Sequence, residues 1–121
     1  MTYDEFNAFC GSLPATNHVV QWGNSHVWKV DTKVFAIGGW QEGGEPAFVF
    51  KVTDIAFEVL PDMPGLRPAP YFASRGMKWI QQFGQPGLPD EELRRHIEHS
   101  YLMVSRKLTK KRQKELGLNQ D

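Results

Sequence analysis

The chain has little cysteine, no long apolar run and no net charge, and each shortage narrows what it can be. One cysteine among 121 residues, Cys10, excludes an internal disulfide. That fits a reducing compartment, so a cytoplasmic location is expected. No apolar stretch approaches the about 20 residues that a membrane-spanning helix needs, so no membrane role is expected. The opening "MTYDEFNAFC" carries acids where a secretory signal would carry bases. Glycine-rich phosphate loops, nucleophile elbows and HExxH patterns are absent. No nucleophile, base and orienting group can be assembled from what remains, and an enzyme is not expected. Nor is a metal or cofactor. His96 and His99 stand three apart, but two imidazoles with no thiol nearby make a poor site, and they read as a solvated pair beside Glu98. His18 and His26 flank a turn as strand-end residues, and Glu91 and Glu92 belong to a helix start.

What is present describes one folded domain. Apolar residues make up 40% and charged residues 23%, a globular balance. We assign residues 1–116 to a single domain and 117–121 to a short C-terminal tail, and expect a monomer. The zero net charge conceals an asymmetry. Residues 1–92 hold 6 bases and 11 acids, and residues 93–121 hold 8 bases and 3 acids. A polyanion could therefore meet only a local basic face.

The expected fold is α+β: an antiparallel sheet meander flanked by an N-terminal helix and C-terminal helices. Thr2 and Glu5 form a capping box, and Phe6, Phe9, Cys10 and Leu13 give one apolar face, predicting a helix over 2–13 that Pro14 ends. From residue 17 the period changes. "HVVQW", "HVWKV", "KVFAIGGW" and "AFVFKV" are strand-like, separated by turns at Gly23-Asn24, Asp31-Thr32 and the looser 41–46. A short helix follows over 53–60, then a rigid extended connection with four prolines in "PDMPGLRPAP", then a strand over 77–83. Asp90 is the expected N-cap of a helix over 90–108, whose core stripe is Leu93, Ile97, Tyr101, Val104 and Leu108. Tyr101 on that stripe and Ser100 one step outside it read as structural. Continuing this helix would set Lys111 on the edge of the stripe. A break capped by Thr109 relieves the conflict, predicting a short basic helix that ends near Gly117.

The bases supply the candidate site. Arg106, Lys107, Lys110, Lys111, Arg112 and Lys114 fall within nine residues, uninterrupted by an acid. Lys29 and Lys33 bracket the Asp31-Thr32 turn, and Arg75 and Lys78 bracket Gly76. Two hairpin tips carrying two bases each resemble wings that straddle a phosphate backbone. Of four tryptophans, Trp40 stands beside the 41–46 loop and is the candidate for stacking on a base.

The stretches "VVQWGNSHVWKVDTKVFAI", "FVFKV", "MPGLRPAPYFASRGMKWIQ" and "DEELRRHIEHSYLMVSRKLTKK", in that order over residues 19–111, resemble the MmcQ/YjbR-like family. The resemblance implies an antiparallel sheet with flanking helices, similar in outline to the frataxin-like (CyaY-like) fold. It also implies double-stranded DNA binding through a double-wing arrangement. Lys33, Lys51, Trp79, Ser100 and Tyr101 match family positions. The expected function is a small DNA-binding protein that contacts mostly phosphates. The alternative is a protein-interaction or small-ligand module on the aromatic sheet face, marked by an exposed patch around Trp40 and Phe48. Iron binding of the frataxin kind is disfavoured, since the first helix offers only Asp4 and Glu5.

Overall fold

The computed structural model describes residues 1–41 and 44–120. Glu42 and Gly43 of the predicted 41–46 loop, and Asp121 of the tail, lie outside the described residues. Helix α1 (Tyr3–Ser12) begins at the predicted capping box: Glu5 N–H donates to the Thr2 hydroxyl, and Thr2 N–H donates to the Glu5 carboxylate. Four strands follow as a meander: β1 (Thr16–Gln21), β2 (Ser25–Val30), β3 (Lys33–Gly38) and β4 (Phe48–Lys51). Then come α2 (Asp54–Val59), a 3₁₀ turn at Leu60–Asp62, β5 (Leu66–Pro68), a second 3₁₀ turn at Ala73–Arg75, β6 (Trp79–Gln82), α3 (Asp90–Ser105) and α4 (Lys110–Leu116). Neighbouring strands are antiparallel in the order β1-β2-β3-β4-β6-β5. The fold is α+β, as expected. Among the described residues no helix is long and apolar enough to cross a membrane.

Three local expectations change. The proline-rich connection is not wholly outside the sheet, because Leu66–Pro68 pairs with β6 as an edge strand. Proline lacks the N–H that an interior strand must donate, and an edge tolerates that lack. Asp90 does not cap α3. Pro89 precedes the helix, and Asp90, its first residue, accepts from the Met1 ammonium at 3.0 Å. Ser100, expected one step outside the apolar stripe, is itself fully buried. The predicted break between α3 and α4 is present. The Thr109 hydroxyl accepts from Arg112 N–H, and Gly117 closes α4 at φ 72°, a left-handed conformation that favours glycine.

The sheet has two different faces. Helices α1 and α3 cover one, burying Phe6 and Cys10 against Trp28, Phe35, Phe48, Phe50, Ile80, Leu93 and Ile97. The other carries the row Val27, Ile37 and Val49, continued by Gln81. It is roofed only in part, by Ala69, Phe72 and Trp40 from connecting segments. A bulge decides which side chains reach it. Trp28 pairs with Ala36 and Lys29 with Val34, leaving Phe35 as an extra residue on β3. Phe35 and Ala36 thus both join the helix-covered core, while Val34 packs on the other face.

Candidate functional site

The two groups of bases meet at one contact. At the tip of the β2–β3 hairpin, Asp31 adopts φ 54° and its backbone is held by Ala15 and by the Asn17 amide. Its carboxylate accepts two hydrogen bonds from Arg112 of α4, from Nη2 at 2.9 Å and from Nε at 3.2 Å. The hydrogen bond from this guanidinium holds the Asp31 carboxyl below its usual range, and the Asp31 carboxylate in turn raises Arg112. Behind α4, Gln113 is buried and donates to Leu108 O at 2.8 Å, while Leu118 enters the core. Helix α4 is therefore docked beside the hairpin that carries Lys29 and Lys33.

Arg112 differs from its neighbours, since its charge is already matched by Asp31 and Glu115. Lys107, Lys110, Lys111 and Lys114 are exposed and make no ion pair among the described residues. Arg106 is also exposed but turns elsewhere, lining a cavity of about 320 Å³ between α2 and α3 with His96 and His99. Burial lowers the His96 pKa, and the neighbouring His99 lowers it further. No cluster of three His, Cys, Asp or Glu side chains suited to a metal occurs among the described residues.

The second wing is the β5–β6 connection. Arg75 donates to the Tyr71 hydroxyl at 2.9 Å, and the Lys78 ammonium stands 4.8 Å from the centre of the Phe57 ring. Gly76 sits between them at φ 78°. Met77, also between them, reaches a groove of about 360 Å³ on the half-roofed face of the sheet. Lys33 from the first wing, Lys51 from β4 and Lys107 from the α3–α4 junction line the same groove, together with Trp79, Phe72 and Trp22. The register accounts for Lys51, which lies opposite Trp79 on this face. No acid is among the groove's lining residues.

The structure thus gathers Lys33, Lys51 and Trp79 in one groove. Lys29 is half-buried on the same hairpin, and Arg75 and Lys78 stand outside the groove. Sequence reasoning did not assign Lys51, Phe72 or Met77 to any site. The alternation of "FVFK" could have put Lys51 opposite the buried Phe50, but nothing local says what covers that face. Trp40 is half-buried rather than open. At φ 68° it lays its ring against Phe72, and its indole N–H donates to Pro70 O at 3.0 Å. The exposed tryptophan is Trp22, 48% accessible and edge-on to Trp40. Phe48 is buried against Tyr3 and Phe6, so the patch expected around Trp40 and Phe48 is absent.

Comparison with known proteins yields three findings. The YjbR family model matches residues 11–103. No curated protein matches the chain. Among solved structures, the crystal structure of Deinococcus radiodurans protein DR2400, with a DUF419 domain, is similar at TM-score 0.82 and 25% identity, over 97% of this chain and 88% of that one. A crystal structure of a protein from Pseudomonas syringae is similar in fold at TM-score 0.69 and 18% identity, over 86% of this chain and 99% of that one.

Proposed function

The chain belongs to the YjbR family, and from that premise we propose that it is a monomeric, cytoplasmic, non-enzymatic protein that binds double-stranded DNA. Phosphates are the target, met by the first hairpin tip and the exposed face of α4. The observation that carries this reading is the Asp31–Arg112 pair, which ties α4, with its exposed Lys110, Lys111 and Lys114, to the tip of the hairpin that carries Lys29 and Lys33. Charges carried by two docked elements can contact neighbouring phosphates of one backbone, where isolated charges would act singly. The sequence pI of about 6.9 argues for weak binding, since dedicated nucleic-acid domains commonly exceed about 9.

The test is a fluorescence titration of a labelled duplex of about 20 base pairs between 50 and 200 mM salt. Each phosphate contact contributes a slope of about 0.9 log units per log unit of salt. Four or five contacts would weaken binding on the order of a few hundredfold across that range. Lys110→Ala, Lys111→Ala and Lys114→Ala should each flatten the slope by about one contact, whatever the DNA sequence. No binding at micromolar protein in low salt, or an unchanged slope when all three are removed, rejects the reading.

A further inference from the structure

We propose that the groove between the wings is a binding site for a nucleotide that is not base-paired. The proposal goes beyond duplex binding and does not require it, because its residues face a different demand. A duplex needs charge spread along an open surface that can follow its backbone. Here three lysines, Lys33, Lys51 and Lys107, surround a concave space of about 360 Å³, within the range of about 300–1,000 Å³ usual for small-molecule sites.

Charge and shape together select the ligand. None of the three ammonium groups is ion-paired among the described residues, and no acid lines the groove. A monocarboxylate would answer one of them. A phosphate monoester carries close to two negative charges at neutral pH and three acceptor oxygens, so it can bridge several ammonium groups. Inorganic phosphate alone would leave the apolar part of the site wet. That part is aromatic: Trp79 stacks on Phe72 at 5.3 Å between ring centres, and Trp22 stands at the margin, half exposed. A flat aromatic ring gains most there, through edge and offset contacts with these side chains. A nucleotide, whose aromatic base is joined to a phosphate through its sugar, meets both demands. In a duplex both faces of each base are already stacked and its edge is paired, so only a free nucleotide or an unpaired one in a strand presents the ring.

The test is isothermal titration calorimetry of the full chain with adenosine monophosphate, adenosine, inorganic phosphate, laurate and a four-nucleotide single strand. The monophosphate should bind saturably and at least about tenfold more tightly than adenosine or inorganic phosphate, since charge-assisted hydrogen bonds and ring contacts act together. Lys51→Met and Lys107→Met retain much of the side-chain length and remove the charge. Each should weaken the monophosphate about tenfold while leaving the melting temperature unchanged. A strand that binds more tightly than the monophosphate identifies the ligand as unpaired nucleic acid, and equal affinity identifies a free nucleotide. Adenosine binding as tightly as its monophosphate overturns the proposal, as does laurate outcompeting it or folded lysine variants with full affinity. Duplex binding without nucleotide binding sinks this inference alone, and nucleotide binding without duplex binding sinks only the earlier reading.

Discussion

Arg112 and Asp31, 81 residues apart in the chain, face each other through a two-point hydrogen-bonded ion pair at 2.9 and 3.2 Å. The planar guanidinium matches both carboxylate oxygens, so the contact fixes orientation as well as proximity. Lysine could supply the charge but not that geometry. We expect Arg112→Lys and Asp31→Asn to loosen α4 from the β2–β3 hairpin with little change in global stability, because exposed ion pairs contribute little. Hydrogen exchange would report it: amides of residues 113–117 should lose protection while those of β3 and β4 keep theirs. Equal protection in parent and variant would show that Gln113 and Leu118 dock α4 without the ion pair.

Ser100 and Tyr101 hold the helix to the sheet in different ways. The Ser100 hydroxyl stands where the β3 bulge parts the strands, donating to Phe35 O at 2.6 Å and accepting from Lys51 N–H at 2.9 Å. Ser100→Ala leaves both backbone groups unsatisfied in the interior and should cost about 1–3 kcal/mol. Tyr101 packs edge-on against Phe35, and its hydroxyl donates to Pro14 O at 2.6 Å. Tyr101→Phe should cost about 1 kcal/mol and Tyr101→Ala about 3–5 kcal/mol. Urea denaturation checks all three. A Tyr101→Ala variant as stable as the parent would overturn the structural assignment.

Stability should depend on pH in two windows. Burial lowers the pKa of His96, and burial and then His26 lower that of His18, whose Nε2 lies 3.2 Å from His26 Nδ1. A histidine with a depressed folded pKa binds its proton more readily when unfolded, so stability should fall as pH drops below about 6.5. His96→Gln should flatten that decline. The Asp31 and Glu5 carboxyls are also depressed, by Arg112 and by the Thr2 backbone hydrogen bond respectively. Their contribution is complete above about pH 4 and is lost below it as they take up protons. Thermal melts from pH 3 to 8 would show both declines. A flat profile from 5 to 7 would contradict the histidine assignment.

Local chemistry made the ends of elements legible. The Thr2–Glu5 capping box, the Thr109 cap and the Gly117 stop each depend on residues within four positions of one another, so spacing alone determines them. The order of the first four strands was legible for a similar reason, since short turns force sequential antiparallel pairing. The basic clusters could likewise be counted, but not placed. Whether Arg112 meets solvent or Asp31, whether Leu66–Pro68 joins an edge, and which backbone groups Ser100 satisfies all depend on partners tens of residues away, except that β5 pairs with a strand only about a dozen residues on. Trp40 shows the same limit: beside a glycine-rich loop it reads as open, yet a left-handed backbone turn lays it on Phe72 and Pro70. The groove is the furthest case. Lys33, Lys51 and Lys107 belong to three elements with no shared periodicity, and they come together because the bulge, the Lys51–Trp79 register and the α3–α4 break act at once. The Thr2, Thr109 and Gly117 caps, the turns and the inventory of charge were readable along the chain, because these obey short-range geometry, whereas the start of α3 was not, because Asp90 turns to the Met1 ammonium 89 residues away. Which charges are neutralised and which line one groove became visible only in three dimensions, because electrostatics and packing act through space and are indifferent to separation along the chain.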